Sequence, residues 1–377
     1  MKLLSLILAL LLILPVPVSA LELSAKSAIL IDVPTGTVLF EQNPHERLAP
    51  ASVTKIMTML LILEAIDAGQ IRLTDTVTAS ETAAAKGGSQ VYLKVGETMT
   101  VSDMLKSIAV SSANDCACAM AEHLAGSEAA FVEKMNLRAQ ELGMTDTHFV
   151  NCTGLDDSPE AENHRTSAQD IALMSRQLLK YHPKIKEFTT IWMDTIRNGT
   201  FGLSNTNKLV RFYPGATGLK TGYTSAAGYC LSASAEREGL ELIAVVMGSK
   251  TSQERNAACA QLLDLGFAGY SLIAPDLTEA DTTIPIKLGT QPCTTAQLGA
   301  GTELLIEKAK QNTVTTELDL PDSLTAPVQQ GQQVGTLTVK AGEEILTRIP
   351  LTAKDTVPRL TWLQLFTRIL RKCAMAA

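Results

Sequence analysis

Residues 218–249 read GLKTGYTSAAGYCLSASAEREGLELIAVVMGS, and this stretch decides the fold. GLKTGYT, AGYCLSASA and LELIAVVMGS are strand-like runs, and a last helix is predicted from Ser252 to Leu265. At the other end of the same segment, AILID (28–32), the turn Pro34-Thr35-Gly36 and TVLFE (37–41) form an N-terminal hairpin. Between these strands the chain reads as mainly helical from residue 70 to about residue 200. Pro50 pre-sets a helical start, and a strongly apolar helix begins at Ser52 and is stopped by Gly69. Further helices start at Ser102 and Ser127, stop at Gly143, and run from Ser167 through Lys180. A helix apolar all round belongs at the centre of its domain. Strands from both ends flanking a helical middle predict an α+β domain, one antiparallel sheet flanked by helices with a helical lobe.

Outside that domain the text changes character. Beyond residue 273, short Thr-, Pro- and Gly-rich runs such as TTIPIKLG, QVGTLTVK and ILTRIPL predict a small all-β domain over 274–355 with no ionisable cluster. From residue 358, Leu360, Trp362, Leu363, Leu365, Phe366, Ile369 and Leu370 fall on one side of a helix, with Thr361, Gln364, Thr367, Arg368, Arg371 and Lys372 on the other. Residues 356–377 carry four basic residues and no acid, the pattern of a helix lying in an anionic membrane interface. The competing reading is a helix packed on its own β domain. At the other terminus, Lys2, the apolar run 3–14, Pro15, Pro17 and Val18-Ser19-Ala20 make a secretory signal over 1–20, too short to span a bilayer. The catalytic unit is therefore expected over 21–273, in an exported protein at the outer face of the cytoplasmic membrane.

With 377 residues, 46% of them apolar, the chain builds a sizeable core and two domains. Loss of residues 1–20 removes Lys2 and no acid, so 32 basic residues become 31 against 39 acids, a net charge of −8. That balance argues against nucleic acid as a partner. The seven cysteines are scattered, with no C-x-x-C pair, and the histidines form no H-E-x-x-H. Neither a disulfide framework, a metal site nor a cofactor is suggested.

Three short motifs occur once each and in order: Ser52-Val53-Thr54-Lys55, Ser112-Ala113-Asn114 and Lys220-Thr221-Gly222. Singly they are weak, and Ser52 alone could be a helix-start serine, Lys55 a solvated lysine. Placement argues otherwise. Lys55 follows Ser52 by three residues on a predicted helix, so the two share a face. A lysine in front of IMTMLLILEA has little water around its ammonium, which lowers its pKa toward that of a base. A hydroxyl nucleophile needs such a neighbour.

The set S-x-x-K, S-x-N and K-T-G resembles the serine penicillin-binding proteins and serine β-lactamases. LAPASVTKIMT, VSSANDCACAMAEHLAG, THFVNCTGLDD and GLKTGYTSAAGYCLSASA are similar, more narrowly, to the low-molecular-mass D-Ala-D-Ala carboxypeptidases. The resemblance implies that Ser52 attacks the penultimate D-alanine carbonyl of a peptidoglycan stem peptide, that Lys55 takes its proton, and that Ser112 relays protons to the leaving amine. It implies that Asn114 holds the substrate amide, that Lys220 and Thr221 bind the terminal carboxylate, and that the backbone N–H groups of Ser52 and Tyr223 form the oxyanion site. β-Lactams would acylate the same serine. Gly222 suits either an ordinary strand glycine or close approach by substrate. Two positions depart from the usual pattern: Tyr223 stands where many relatives have histidine, and Ala113 where carboxypeptidases usually show glycine.

A β-lactamase shares the acylation apparatus, but the flanks of Glu160 and Glu162 do not match the loop that carries that enzyme's water-activating glutamate. A D,D-endopeptidase fits the same motifs. A non-catalytic peptidoglycan or β-lactam sensor would have lost Ser52, Lys55 or Lys220, and all three are present. No G-x-S-x-G supports a Ser-His-Asp hydrolase.

Overall fold

The computed structural model describes residues 23–278, 280–299 and 301–375. The expected signal over 1–20 lies outside them. Strands β1 (Ser27–Asp32) and β2 (Val38–Gln42) form the N-terminal hairpin, and β3 (Ala216–Thr224), β4 (Gly228–Arg237) and β5 (Leu240–Ser249) form the C-terminal meander. They make one antiparallel sheet in the order β2-β1-β5-β4-β3. β3, which carries Lys220-Thr221-Gly222, is an edge strand.

Both faces of the sheet are covered, which is why its strands read as apolar runs without alternation. Ile29, Ile31, Ile243, Val245 and Met247 face the helical lobe; Ala28, Leu30, Leu242, Ala244 and Val246 pack under Ala258, Leu262 and Phe267 of the last helix of the domain. That helix covers Ser252–Gly269, one turn beyond the predicted end. Facing the lobe, α1 (Lys55–Asp67) is buried on nearly every side, as its composition predicts, among α2 (Val101–Ser111), α3 (Asn114–Ala125), α4 (Glu128–Glu141) and α5 (Ala168–Tyr181). Ser127 and Ser167 cap α4 and α5 through their side chains. α2 is capped by Thr100, not Ser102. The lobe is less purely helical than expected: it includes two small two-stranded sheets, Thr76–Thr78 with Thr98–Thr100 and Met193–Ile196 with Phe201–Ser204.

The β unit has a separate core around Ile284, Leu337, Val339 and Leu351. Its six-stranded sheet includes long strands at Gln333–Ala341 and Glu344–Ala353. The final helix, Trp362–Met375, is tied to this unit by Leu360 N–H donating to Leu288 O (2.8 Å) and Arg368 Nη1 donating to Gly289 O (3.1 Å). Leu365 is half-buried and lines a cavity with Ile286 and Leu288 of the β unit, but most of the apolar face is outward: Trp362 is 77% and Leu363 66% exposed, and Phe366, Ile369 and Leu370 are exposed too. No helix of the described residues is long and apolar enough to cross a membrane.

Candidate active site

The first motif does not begin as α-helix. Ala51–Thr54 is a 3-10 turn and α1 starts at Lys55. In a 3-10 turn residues i and i+3 eclipse, so Ser52 and Lys55 lie directly above one another on one side of the turn. Lys55 Nζ lies 2.9 Å from Ser52 Oγ and donates to Thr153 O at the same distance. Lys55 is fully buried, and among the described residues no carboxylate pairs with it. Burial disfavours the charged ammonium and pulls its pKa down to about 7, against smaller opposing effects of Cys152 and Asp115.

The second motif turns the chain from α2 into α3. Ser112 takes the left-handed conformation (φ 62°) and is buried, while Ala113 has ordinary φ and ψ of −58° and 114°. The strained residue of the turn is therefore the serine, and alanine in place of glycine costs no backbone strain. Asn114 donates through Nδ2 to Gly87 O (2.7 Å), and its buried Oδ1 has no partner among the described residues. Asp115 accepts from Val91 and Leu93 N–H, which fastens the loop around Gly87 to the start of α3.

On the edge strand, Lys220 is buried with Nζ donating to Thr221 O (2.9 Å). Burial first, then the nearby Lys55 and Arg255 charges, hold it well below an ordinary lysine. Thr221 Oγ1 donates to Thr206 Oγ1 (2.7 Å), and Thr206 N–H donates to Val110 O (3.1 Å), which joins the strand to the end of α2 two residues before Ser112. At Gly222 an added Cβ would lie 2.7 Å from Pro50 O and 3.1 Å from Ser52 N. The close approach that needs glycine here is made by the nucleophile's own turn, which sets the backbone of residues 222–223 beside the Ser52 N–H. The Tyr223 ring is 54% exposed and stacks on Tyr229, with centroids 4.3 Å apart.

One residue absent from the motif reading joins this group. Arg255 is only 5% exposed, has no acid within salt-bridge distance among the described residues, and hydrogen-bonds through its guanidinium to Asn256 Oδ1 (3.0 and 3.1 Å). Its charge depresses Lys220, and its Cζ sits 5.8 Å from the Tyr229 ring centroid. A signal existed in the sequence. Arg255, Ala258, Cys259, Leu262, Leu263 and Gly266 recur at helical spacing, so the arginine shares the buried face. Glu160 and Glu162, by contrast, are exposed. The site thus gathers a hydroxyl–amine pair, a second buried lysine, a buried arginine and a buried amide oxygen without a partner among the described residues, groups whose chemistry suits an anionic, amide-bearing molecule.

The sequence profile of the D-alanyl-D-alanine carboxypeptidases matches residues 15–251. The chain belongs to that family. It is a family of serine peptidases, and the chain is 45% identical over 357 residues, 93% of its length and 90% of the relative, to the D-alanyl-D-alanine carboxypeptidase DacF of Bacillus subtilis. The family's C-terminal unit is also present, since residues 277–359 match the C-terminal domain of penicillin-binding protein 5. Among solved structures, penicillin-binding protein 5 of Haemophilus influenzae superposes with a TM-score of 0.76 at 30% identity over 91% of this chain and all of that one. Ampicillin-bound penicillin-binding protein D2 of Listeria monocytogenes superposes with a TM-score of 0.60 at 33% identity, over 66% of this chain and 99% of that one. The fold expected from residues 218–249 is the one these relatives share.

Proposed function

We propose that this carboxypeptidase removes the terminal D-alanine of peptidoglycan stem pentapeptides through an acyl-enzyme on Ser52, and that penicillin acylates the same oxygen. The observation that carries the reading is the buried Lys55 amine, 2.9 Å from Ser52 Oγ with its pKa lowered to about 7. Neutral Lys55 accepts the hydroxyl proton as Oγ adds to the penultimate D-alanine carbonyl, a role worth roughly 10²–10⁴-fold in rate. The oxyanion is received by the N–H groups of Ser52 and Tyr223. Its collapse breaks the C–N bond, the leaving D-alanine amine takes a proton by way of Ser112, and water then cleaves the ester. Asn114 Oδ1 accepts the substrate amide N–H. Lys220, Thr221 and Arg255 receive the terminal carboxylate, and Gly222 lets the edge strand close on the nucleophile turn.

We assign residues 1–20 to export, 21–273 to the catalytic unit, 274–355 to the β unit and 356–377 to an interfacial helix at the outer face of the cytoplasmic membrane. The outward apolar side chains of that helix and its basic residues support the membrane surface over a fold-back onto the β unit. The test is to mix purified protein with labelled penicillin and, separately, with a pentapeptide ending in D-Ala-D-Ala. A lasting adduct on Ser52 together with release of one D-alanine is expected. An adduct without D-alanine release would point to an endopeptidase or a sensor, and rapid penicillin loss without an adduct to a β-lactamase.

A further inference from the structure

His164 lies 110 residues from the first motif in sequence and is buried against it. Its Nδ1 accepts the Val150 backbone N–H (3.2 Å), so the proton of the neutral ring sits on Nε2. Nε2 is 2.8 Å from Thr54 Oγ1, and the Thr54 hydroxyl donates to Ala51 O (2.8 Å). Every hydrogen in this chain is accounted for in one direction: Val150 N–H to His164, His164 to Thr54, Thr54 to the carbonyl preceding Ser52. Burial holds the ring neutral, with a pKa down to about 3, and the Phe149 ring packs edge-on against it at 5.6 Å.

The end of the chain is a strained residue. Ala51 has φ 49°, a left-handed conformation that alanine rarely adopts. Its carbonyl is wedged from the other side by Gly154, where an added Cβ would lie 1.8 Å from Ala51 O. The neighbouring Thr153 O is the acceptor that orients Lys55. Such a conformation persists only where its surroundings over-determine it.

We propose that His164 is a positioning residue for the nucleophile: acting through Thr54, it pins the Ala51 carbonyl and so fixes the direction of the Ser52 N–H and the spacing of Ser52 Oγ from Lys55. It touches no reacting atom and moves no proton. The proposal rests on Ser52 being the acylated residue.

The test uses the mature protein with labelled penicillin, reading the first-order acylation rate separately from the noncovalent dissociation constant, with melting temperature as a fold control. His164→Gln and Thr54→Val are each expected to slow acylation roughly tenfold to a hundredfold, the scale of a small misplacement of reacting groups. Dissociation constants should change less than about threefold, and Thr54→Ser, which keeps the hydroxyl, should restore acylation to near the parent rate. The double variant should be no slower than the worse single, because both cut one chain. The acid limb of the acylation pH profile should stay in place in every variant. Parent-like acylation in Thr54→Val with only a lowered melting temperature would overturn the proposal, as would additive losses in the double variant. Should His164→Gln fail to fold, the Thr54→Val and Thr54→Ser pair decides alone. Absence of any adduct on Ser52 in the parent protein would instead overturn the catalytic reading beneath it.

Discussion

Lowering the pH should switch the enzyme off through Lys55. Its amine has an ordinary value of 10.5 and is brought to about 7 by burial. With that value the neutral fraction is about 9% at pH 6 and about 91% at pH 8, so the acylation rate should rise roughly tenfold between them. A lysine left at its ordinary value would be neutral in only about 0.03% of molecules at pH 7, so burial makes the base on the order of a thousandfold more available. The assay is the first-order rate of penicillin adduct formation at saturating ligand from pH 5 to 9. A flat profile across pH 6–8, or a rate still rising without a plateau at pH 9, would refute the assignment of Lys55 as base, as would normal acylation in Lys55→Ala. The same shift has a stability consequence with a definite sign. Between pH 7 and 10.5 the unfolded chain binds a proton at Lys55 that the folded chain does not, so stability from this group rises with pH across that window and is level below it. Lys55→Met should therefore raise the melting temperature at pH 7 while abolishing acylation.

Gly222→Ala should drive a methyl against Pro50 O and displace the Ser52 turn, costing about 1–3 kcal/mol in stability and most of the acylation rate; parent-like rates would show that the turn yields freely. Arg255→Leu should lower kcat/KM for a free-carboxylate pentapeptide about a hundredfold, with no loss of melting temperature because an unpaired buried cation is removed. A substrate with an amidated terminus should show little difference, and equal losses on both would remove Arg255 from carboxylate binding. Deleting residues from Pro358 onward should abolish sedimentation with anionic vesicles and leave soluble activity intact; continued sedimentation would assign the membrane surface elsewhere.

Much of this architecture is local and was legible. The hairpin turn Pro34-Thr35-Gly36, the caps Ser127 and Ser167 and the unbroken apolar strands each declare themselves within a few residues, because capping and burial patterns act over one or two turns. The small two-stranded sheets inside the lobe were not legible: three- and four-residue strands such as Thr76–Thr78 carry too little periodicity to register and form only because the lobe orders both partners. Arg255 was missed for a related reason, since its helix position predicts burial and nothing in the chain names the lysine it will face.

The sequence by itself determined the α+β order, the apolar all-round helix and the three motifs whose residue types fit a serine nucleophile with an amine beside it. Only the tertiary structure decided that the first motif is a 3-10 turn placing Oγ 2.9 Å from Nζ, that Gly222 is needed by that turn, and that Lys55, Lys220 and Arg255 are buried near one another with no salt-bridge partner among the described residues. Spacing along a chain reports which side chains can meet within a helix or strand. The charge an amine carries depends on how much water and how many charges surround it, and those neighbours, Thr153, Lys220 and Arg255, arrive from 98 to 200 residues away.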